Sequence, residues 1–340
     1  MLNETVKALA ALDGISGREA PVREYIISRI KGAAEYGVDA LGNLIVFKKG
    51  KERAANKVLL DAHMDEVGLI VTFIADNGML RFAKVGGIDT KVLLGRTVKI
   101  GEDNIPGVVG IKPIHMTEKG KERDLPDEDT LYIDIGASNK AEAEALVAPG
   151  DYVCFDSDFT EFGSGFVKGR ALDDRVGCAI LLEMILSDLP YDMWFSFSVQ
   201  EEVGLRGAAA AAFTVAPDYA IVTETTTASD IAGVDGEKEV CRLGKGAVIS
   251  FMDRTTVYDR ELYDRANAVA AEKGIAVQTK SRVAGGNNAG AIHKSGKGVK
   301  VLTVSVPTRY LHSPGCVMQW SDVEASAAVI RAMAEELAHG

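Results

Sequence analysis

Apolar positions along the chain change their spacing twice, dividing it into three regions. In the first 66 residues, helical and extended spacings alternate. Val22, Ile26 and Ile30 recur every four residues, which predicts a helix with one buried face, whereas Leu44–Phe47 and Lys57–Ala62 are short runs expected of buried strands. The N-terminal segment MLNETVKALAALDG lacks a basic start followed by an apolar core, so it reads as an amphipathic helix and not as a signal peptide. From about Gly68 to Gly163, Val- and Ile-rich runs are cut short by Gly and Pro, as in KVGGIDTKVLLGRTVKIGEDNIPGVVGI, the texture of a small β-barrel or sandwich. Within it, EKGKERDLPDEDT reads as a solvated loop. Beyond Gly163 the α/β alternation returns, with a helix over Asp173–Leu186 and strands over Met193–Val199, Tyr219–Val222 and Val299–Val306. Ser321 and Glu324 form a capping box for a last helix with Val323, Ala327, Ile330 and Leu337 on one face. The architecture that accounts for this is an α/β body, residues 1–66 and 164–340, interrupted by an inserted β unit at 67–163. Two consecutive domains would leave the first 65 or so residues with too few strands for a sheet.

Composition narrows the partners. Lys plus Arg is 38 against 49 for Asp plus Glu, a net charge of −11, and such a chain repels phosphate backbones and anionic lipid. Neither nucleic acid nor a membrane is expected. The longest apolar stretches, such as Ala208–Val215, fall short of the ~20 residues that span a bilayer, which leaves the cytoplasm as the expected compartment. Cys154, Cys178, Cys241 and Cys316 lie far apart with no C-x-x-C pair and read as packing residues.

In open α/β sheets ligands bind beyond the carboxyl ends of the strands, so the residues ending each apolar run are informative. VLLDAHMD ends on His63 and Asp65, WFSFSVQEE on Glu201 and Glu202, YAIVTE on Glu224, and VKVLTVSVPTRYLHS leads to His312. ALDDR sets Asp173 and Asp174 where a helix begins, a position that a plain N-cap would also explain. Two His with three or four carboxylates exceed the three protein ligands of a single catalytic zinc. They suit two divalent ions ~3.5–4 Å apart sharing a carboxylate and a water. One carboxylate is then free to act as a base, and strand alternation predicts that Glu201 and Glu202 point to opposite sides. His115, His293 and His339 have no comparable carboxylate partners and are read as structural or surface residues. No G-x-S-x-G elbow is present.

The sequence resembles the dinuclear-metal aminopeptidases of the glutamyl and deblocking type, whose known members form tetrahedral particles. The resemblance runs through DGISGRE, LGNLI, AHMDEVG, GVVGIKPIH, LYIDIGA, KGRALDDRVGCAILLE, QEEVGLRGA, LGKG, GGNNAG and RYLHSP. It implies His63 and Glu224 on one metal, Glu202 and His312 on the other, Asp173 bridging, Glu201 as general base and Asp65 orienting His63. It also implies a mixed sheet with helices on both faces, an inserted β-barrel that dimerises, and dimers assembling into a dodecamer around the active sites. Two positions depart from the family pattern: Glu224 stands where Asp is usual, and Asn287 and Asn288 stand where Thr-Asp is usual, so an anionic group near the site is expected to be missing.

These readings converge on a metallo-aminopeptidase acting on short peptides, with zinc, cobalt or manganese all compatible with the His/carboxylate set. A degenerate metal-binding paralogue without activity is the alternative that Glu224 and Asn288 raise. Glycoside hydrolysis also needs paired carboxylates, but two Trp and 6% aromatic residues make poor sugar platforms.

Overall fold

The computed structural model describes residues 2–120 and 124–340; Met1 and, within the charged run 118–130, residues 121–123 lie outside them. The N-terminal helix Leu2–Ala10 buries Val6, Leu9 and Ala10 on one side, and helix Ala20–Ile30 buries Val22, Ile26 and Ile30 as their spacing requires. An eight-stranded sheet runs Glu35–Val38, Leu44–Lys48, Met193–Ser198, Val58–His63, Tyr219–Thr227, Lys300–Thr308, Ala247–Ile249 and Val277–Thr279 in spatial order. The four strands at its centre, Met193–Ser198 to Lys300–Thr308, are parallel, and antiparallel pairs flank them. Val58–His63 is buried at every position because helices cover both faces. Val58, Leu60 and Ala62 face helices Leu172–Leu186 and Trp320–His339, whereas Leu59 faces Arg206–Val215 and Ala289–Ile292.

Six antiparallel strands between Gly68 and Phe155 close into a barrel with its own core of Leu69, Val71, Val98, Ile100, Ile133 and Val153. Thr160–Phe162 and Phe166–Gly169 form a separate three-stranded sheet with Cys316–Gln319.

Three expectations are corrected. The last helix begins at Trp320 with Gln319 at its cap, so Ser321 and Glu324 form no capping box. Strand Cys316–Gln319 runs straight into the helix, and the Trp320 N–H donates to the Gly165 carbonyl (2.9 Å), so tertiary pairing and not a local cap sets the start. Strand Tyr219–Thr227 continues past Val222, placing Glu224 inside it and not at its end. The third correction, at Glu201 and Glu202, belongs to the site.

Arg175, unremarked in the sequence, ties the N-terminal helix to the sheet. Fully buried, it donates to the carbonyls of Leu9 (2.6 Å), Met64 (2.8 Å) and Leu12 (2.9 Å) and pairs with Glu66 at 3.3 Å. Arg175→Met removes these donors and leaves the carbonyls of Leu9, Leu12 and Met64 without them, while Glu66 keeps Arg170 at 2.9 Å, and a loss of about 1–3 kcal/mol is expected. A lower urea midpoint checks this; an unchanged midpoint refutes it.

Candidate metal centre

His63 is the last residue of its strand, and its Nδ1 lies 3.0 Å from the Asp65 carbonyl oxygen. A carbonyl only accepts, so Nδ1 carries the proton and the Nε2 lone pair is presented to the cleft. There Nε2 lies 3.4 Å from Asp173 Oδ1 and 3.5 Å from Glu224 Oε1. His312 repeats the arrangement from the opposite side. Its Nδ1 is held by the Gly87 carbonyl at 2.7 Å, and its Nε2 lies 3.3 Å from Glu202 Oε2 and 3.6 Å from Asp173 Oδ2. Asp173 therefore turns one oxygen toward each imidazole.

Asp65 is fully buried and organises the loop that follows strand Met193–Ser198. Its two oxygens accept the backbone N–H groups of Glu201 (3.0 Å) and Glu202 (3.1 Å), and one also accepts the Ser16 hydroxyl at 2.6 Å. Gln200 has a left-handed φ of 55°, which ends the strand alternation. Glu201 and Glu202 consequently line the same cleft, against the expectation that they face apart. That cleft, of about 560 Å³, is lined also by His63, Asp173, Glu224 and His312. All the sequence-selected candidates thus meet at one place except Asp65, which stands directly behind.

Asp174 is a residue the sequence reading took no further than a cap. Its Oδ1 accepts the Gly177 N–H at 3.0 Å, as a cap would, but the carboxylate also groups with His63 and Glu224. Adjacency to Asp173 was the only signal for it. His63, Asp173 and Glu202 form a second such group, with ligand atoms within 4.8 Å of one another. Buried Asp173 Oδ1, Asp174 Oδ2 and Glu224 Oε2 have no hydrogen-bond partner. Carboxylate oxygens crowded and desolvated in this way require positive charge among them, and the mixed imidazole and carboxylate donors suit a borderline divalent ion.

The electrostatics agree. Burial pushes Glu201 well above the usual carboxylate range, Glu202 up to about 8 and Glu224 up to about 7. Asp173 goes the other way: burial raises it, yet the His312 and His63 imidazoles beside it hold it well below the usual value. Burial disfavours the imidazolium of His312, but Asp173 and Glu202 outweigh it and raise the ring to about 9.

Asn288 lies behind the centre. Its amide donates to Asp61 Oδ2 and to Ser198 Oγ, both at 2.8 Å. Asp61, a carboxyl within an otherwise apolar strand, is fully buried and raised by that burial to about 6. A carboxylate at 288 would face Asp61 directly; Asn288 donates to it instead, and this buried carboxyl stands two residues before His63. Elsewhere, His115 is exposed, His293 Nδ1 lies 2.7 Å from the Ala289 carbonyl and His339 packs on Tyr191; all four cysteines are buried and free.

Comparison with known proteins places this site in a family context. The sequence pattern described as M42 glutamyl aminopeptidase matches residues 42–329. A lysyl aminopeptidase from Pyrococcus furiosus is 32% identical over 98% of this chain and 97% of that protein. A glutamyl aminopeptidase from Lactococcus lactis is also 32% identical, over 99% of this chain and 96% of that protein. Among solved structures, a Pyrococcus horikoshii TET1 peptidase described as assembling into a tetrahedron or a large octahedral shell is similar, with a TM-score of 0.86, 38% identity, and coverage of 99% of this chain and 100% of that one.

Proposed function

From the premise that this chain belongs to the M42 glutamyl aminopeptidase family and is a hydrolase of peptide bonds, we propose that it removes N-terminal residues from short peptides at a centre of two divalent ions. His63 and Glu224 hold one ion, His312 and Glu202 the other, and Asp173 offers an oxygen to each. The observation that carries this reading is the disposition of Asp173, with one oxygen 3.4 Å from His63 Nε2 and the other 3.6 Å from His312 Nε2. Bound there, zinc, cobalt or manganese supplies polarisation of the scissile carbonyl and a water of lowered pKa. Glu201 takes the proton of the attacking water and passes it to the leaving amine. Its elevated pKa suits a group that must hold that proton between the two transfers. Asp65 fixes Glu201 through its backbone and abuts His63, so one buried carboxylate positions both base and ligand. Two imidazoles at the heart of the cluster have no part in a two-carboxylate glycosidase, and a polysaccharide assay is expected to be blank.

The test is metal analysis of purified protein together with a panel of aminoacyl p-nitroanilides. Two divalent ions per chain and release of nitroaniline support the reading. Protein loaded with metal that hydrolyses none of the panel is a binding paralogue.

We extend the proposal to assembly. The inserted β unit, residues 67–163, makes the dimer contact, and dimers build a closed dodecamer; exposed Ile114 and Met116 in that unit are apolar surface of the kind a subunit contact covers. Sedimentation velocity is expected to report a particle larger than a dimer, and folded proteins are expected to resist digestion. Monomer alone at working concentration overturns the assembly.

A further inference from the structure

The N-terminal motif DGISGRE ends on a carboxylate that the hydrolytic chemistry does not use. Glu19 stands at the N-cap of helix Ala20–Ile30, yet its side chain makes no cap bond there. It is 4% exposed, and its Oε1 accepts two backbone N–H groups, that of Gly17 at 2.7 Å and that of Gln200 at 3.1 Å. The first bond is local. The second reaches across the sequence to the loop that carries Glu201 and Glu202. The start of the motif is fastened to the segment that follows His63: the Ser16 hydroxyl donates to Asp65 at 2.6 Å and the Gly14 N–H to Glu66 Oε1 at 3.2 Å.

Strand Met193–Ser198 ends just before this loop, and the next four N–H groups all find side chains: Val199 donates to Asn43 Oδ1 at 3.0 Å, Gln200 to Glu19, and Glu201 and Glu202 to Asp65. Asn43, Glu19 and Asp65 are all buried. Gln200 is the residue with a left-handed φ of 55°, a conformation that a non-glycine residue keeps only where its surroundings hold it. The direction of that turn decides where the next side chain points, and the next side chain is Glu201. A second carboxylate close to Asp65 is unfavourable in itself: burial and the Asp65 charge both raise Glu19 above its usual range, against the bonds from Gly17 and Gln200. A buried carboxylate whose long-range bond goes to Gln200, with none to the end of its own helix, marks the Gln200 turn as what it serves.

We propose that Glu19 is a positioning residue for the hydrolytic step: by accepting the Gln200 N–H it holds the turn that directs Glu201 at the attacking water. This rests on the peptidase reading above, with Glu201 as the base. Glu19 itself does not line the cleft, so it acts only through the loop. Both of its bonds fall on one oxygen, so a neutral amide of the same length can make them, whereas Asp keeps the charge but draws the oxygen back by a methylene. The role requires reach and not charge. A reacting group displaced by about 1 Å loses about 10²-fold in rate.

The experiment compares metal-loaded wild-type protein with Glu19→Gln, Glu19→Asp and Glu19→Ala on the aminoacyl p-nitroanilides. Val22→Ala, which loosens the buried face of the same helix away from the loop, is the control. Glu19→Asp and Glu19→Ala are expected to lose about 10- to 100-fold in kcat on every substrate that wild type cleaves, with KM and metal content unchanged. Glu19→Gln is expected to stay within a few-fold of wild type. Unchanged kcat in Glu19→Asp and Glu19→Ala overturns the proposal. Glu19→Gln as impaired as Glu19→Asp assigns the effect to charge, a rise in KM alone assigns it to substrate binding, and lost metal assigns it to the ligands; each overturns the proposal, as does an equal fall of kcat in Val22→Ala. If Glu19→Ala does not fold, the Gln and Asp variants decide. Wild type that hydrolyses none of the panel fails the peptidase reading itself. Hydrogen–deuterium exchange of the segment 199–206 then decides separately whether Glu19 holds the turn. Faster exchange in Glu19→Asp than in wild type and Glu19→Gln supports the hold, and equal rates overturn it.

Discussion

Asp173→Asn protein is expected to purify with neither metal ion at full occupancy and with peptidase activity at background, matching wild-type protein dialysed against a chelator. Among the described residues Asp173 is the one side chain that pairs with both imidazoles, so its amide weakens both sites, whereas loss of either histidine weakens one. Glu224→Ala serves as the contrast. It removes a carboxylate that reaches His63 alone of the two histidines, so the His63 site empties first and the His312 site stays partly filled. Metal titration by calorimetry, run beside the peptidase assay, reads both variants. Two ions retained by Asp173→Asn would remove it as the bridge, and unchanged stoichiometry in Glu224→Ala would remove that residue as a ligand.

Glu201→Gln gives the opposite separation: both metals bound and kcat lower by about 10²–10⁴-fold. The side chain keeps its size and the backbone N–H keeps Asp65 Oδ1 as acceptor, so the loop stays where it is. What disappears is the ability to accept the water's proton. Parallel metal analysis and steady-state kinetics check it. A variant that loses metal would show that Glu201 is the ligand and Glu202 the base.

Much of this centre was legible in the sequence because strand ends are legible. His63, Glu202 and His312 each follow an apolar run whose end can be read from its last hydrophobic residue. Glu224 was found although its strand runs three residues further, since Thr225, Thr226 and Thr227 are polar residues buried or paired by the neighbouring strand, which local hydrophobicity does not report. The relative direction of Glu201 and Glu202 was misjudged because alternation holds only inside a strand, and Gln200 has already left it. Arg175 and Asp61 went unnoticed for a related reason. Their partners are the carbonyls of Leu9, Leu12 and Met64 in one case, and Ser196, Ser198 and Asn288 in the other, brought together only by tertiary packing. The false capping box shows the same competition, a local signal overridden by a strand that leads directly into the helix.

The acceptor that fixes His312 is the main-chain oxygen of Gly87, and its neighbour Ile88 is buried in the barrel core. The barrel's part in holding this ring is therefore written in the path of its backbone and in no side chain. Every residue type carries the same oxygen, so barrel sequences can diverge widely while this bond persists. Replacing barrel side chains one at a time passes over it. Excising the barrel, or re-routing the turn that carries Gly87, leaves the imidazole free to rotate. The inserted unit and the hydrolytic centre are in that sense inseparable parts, joined at an atom that no comparison of side chains records.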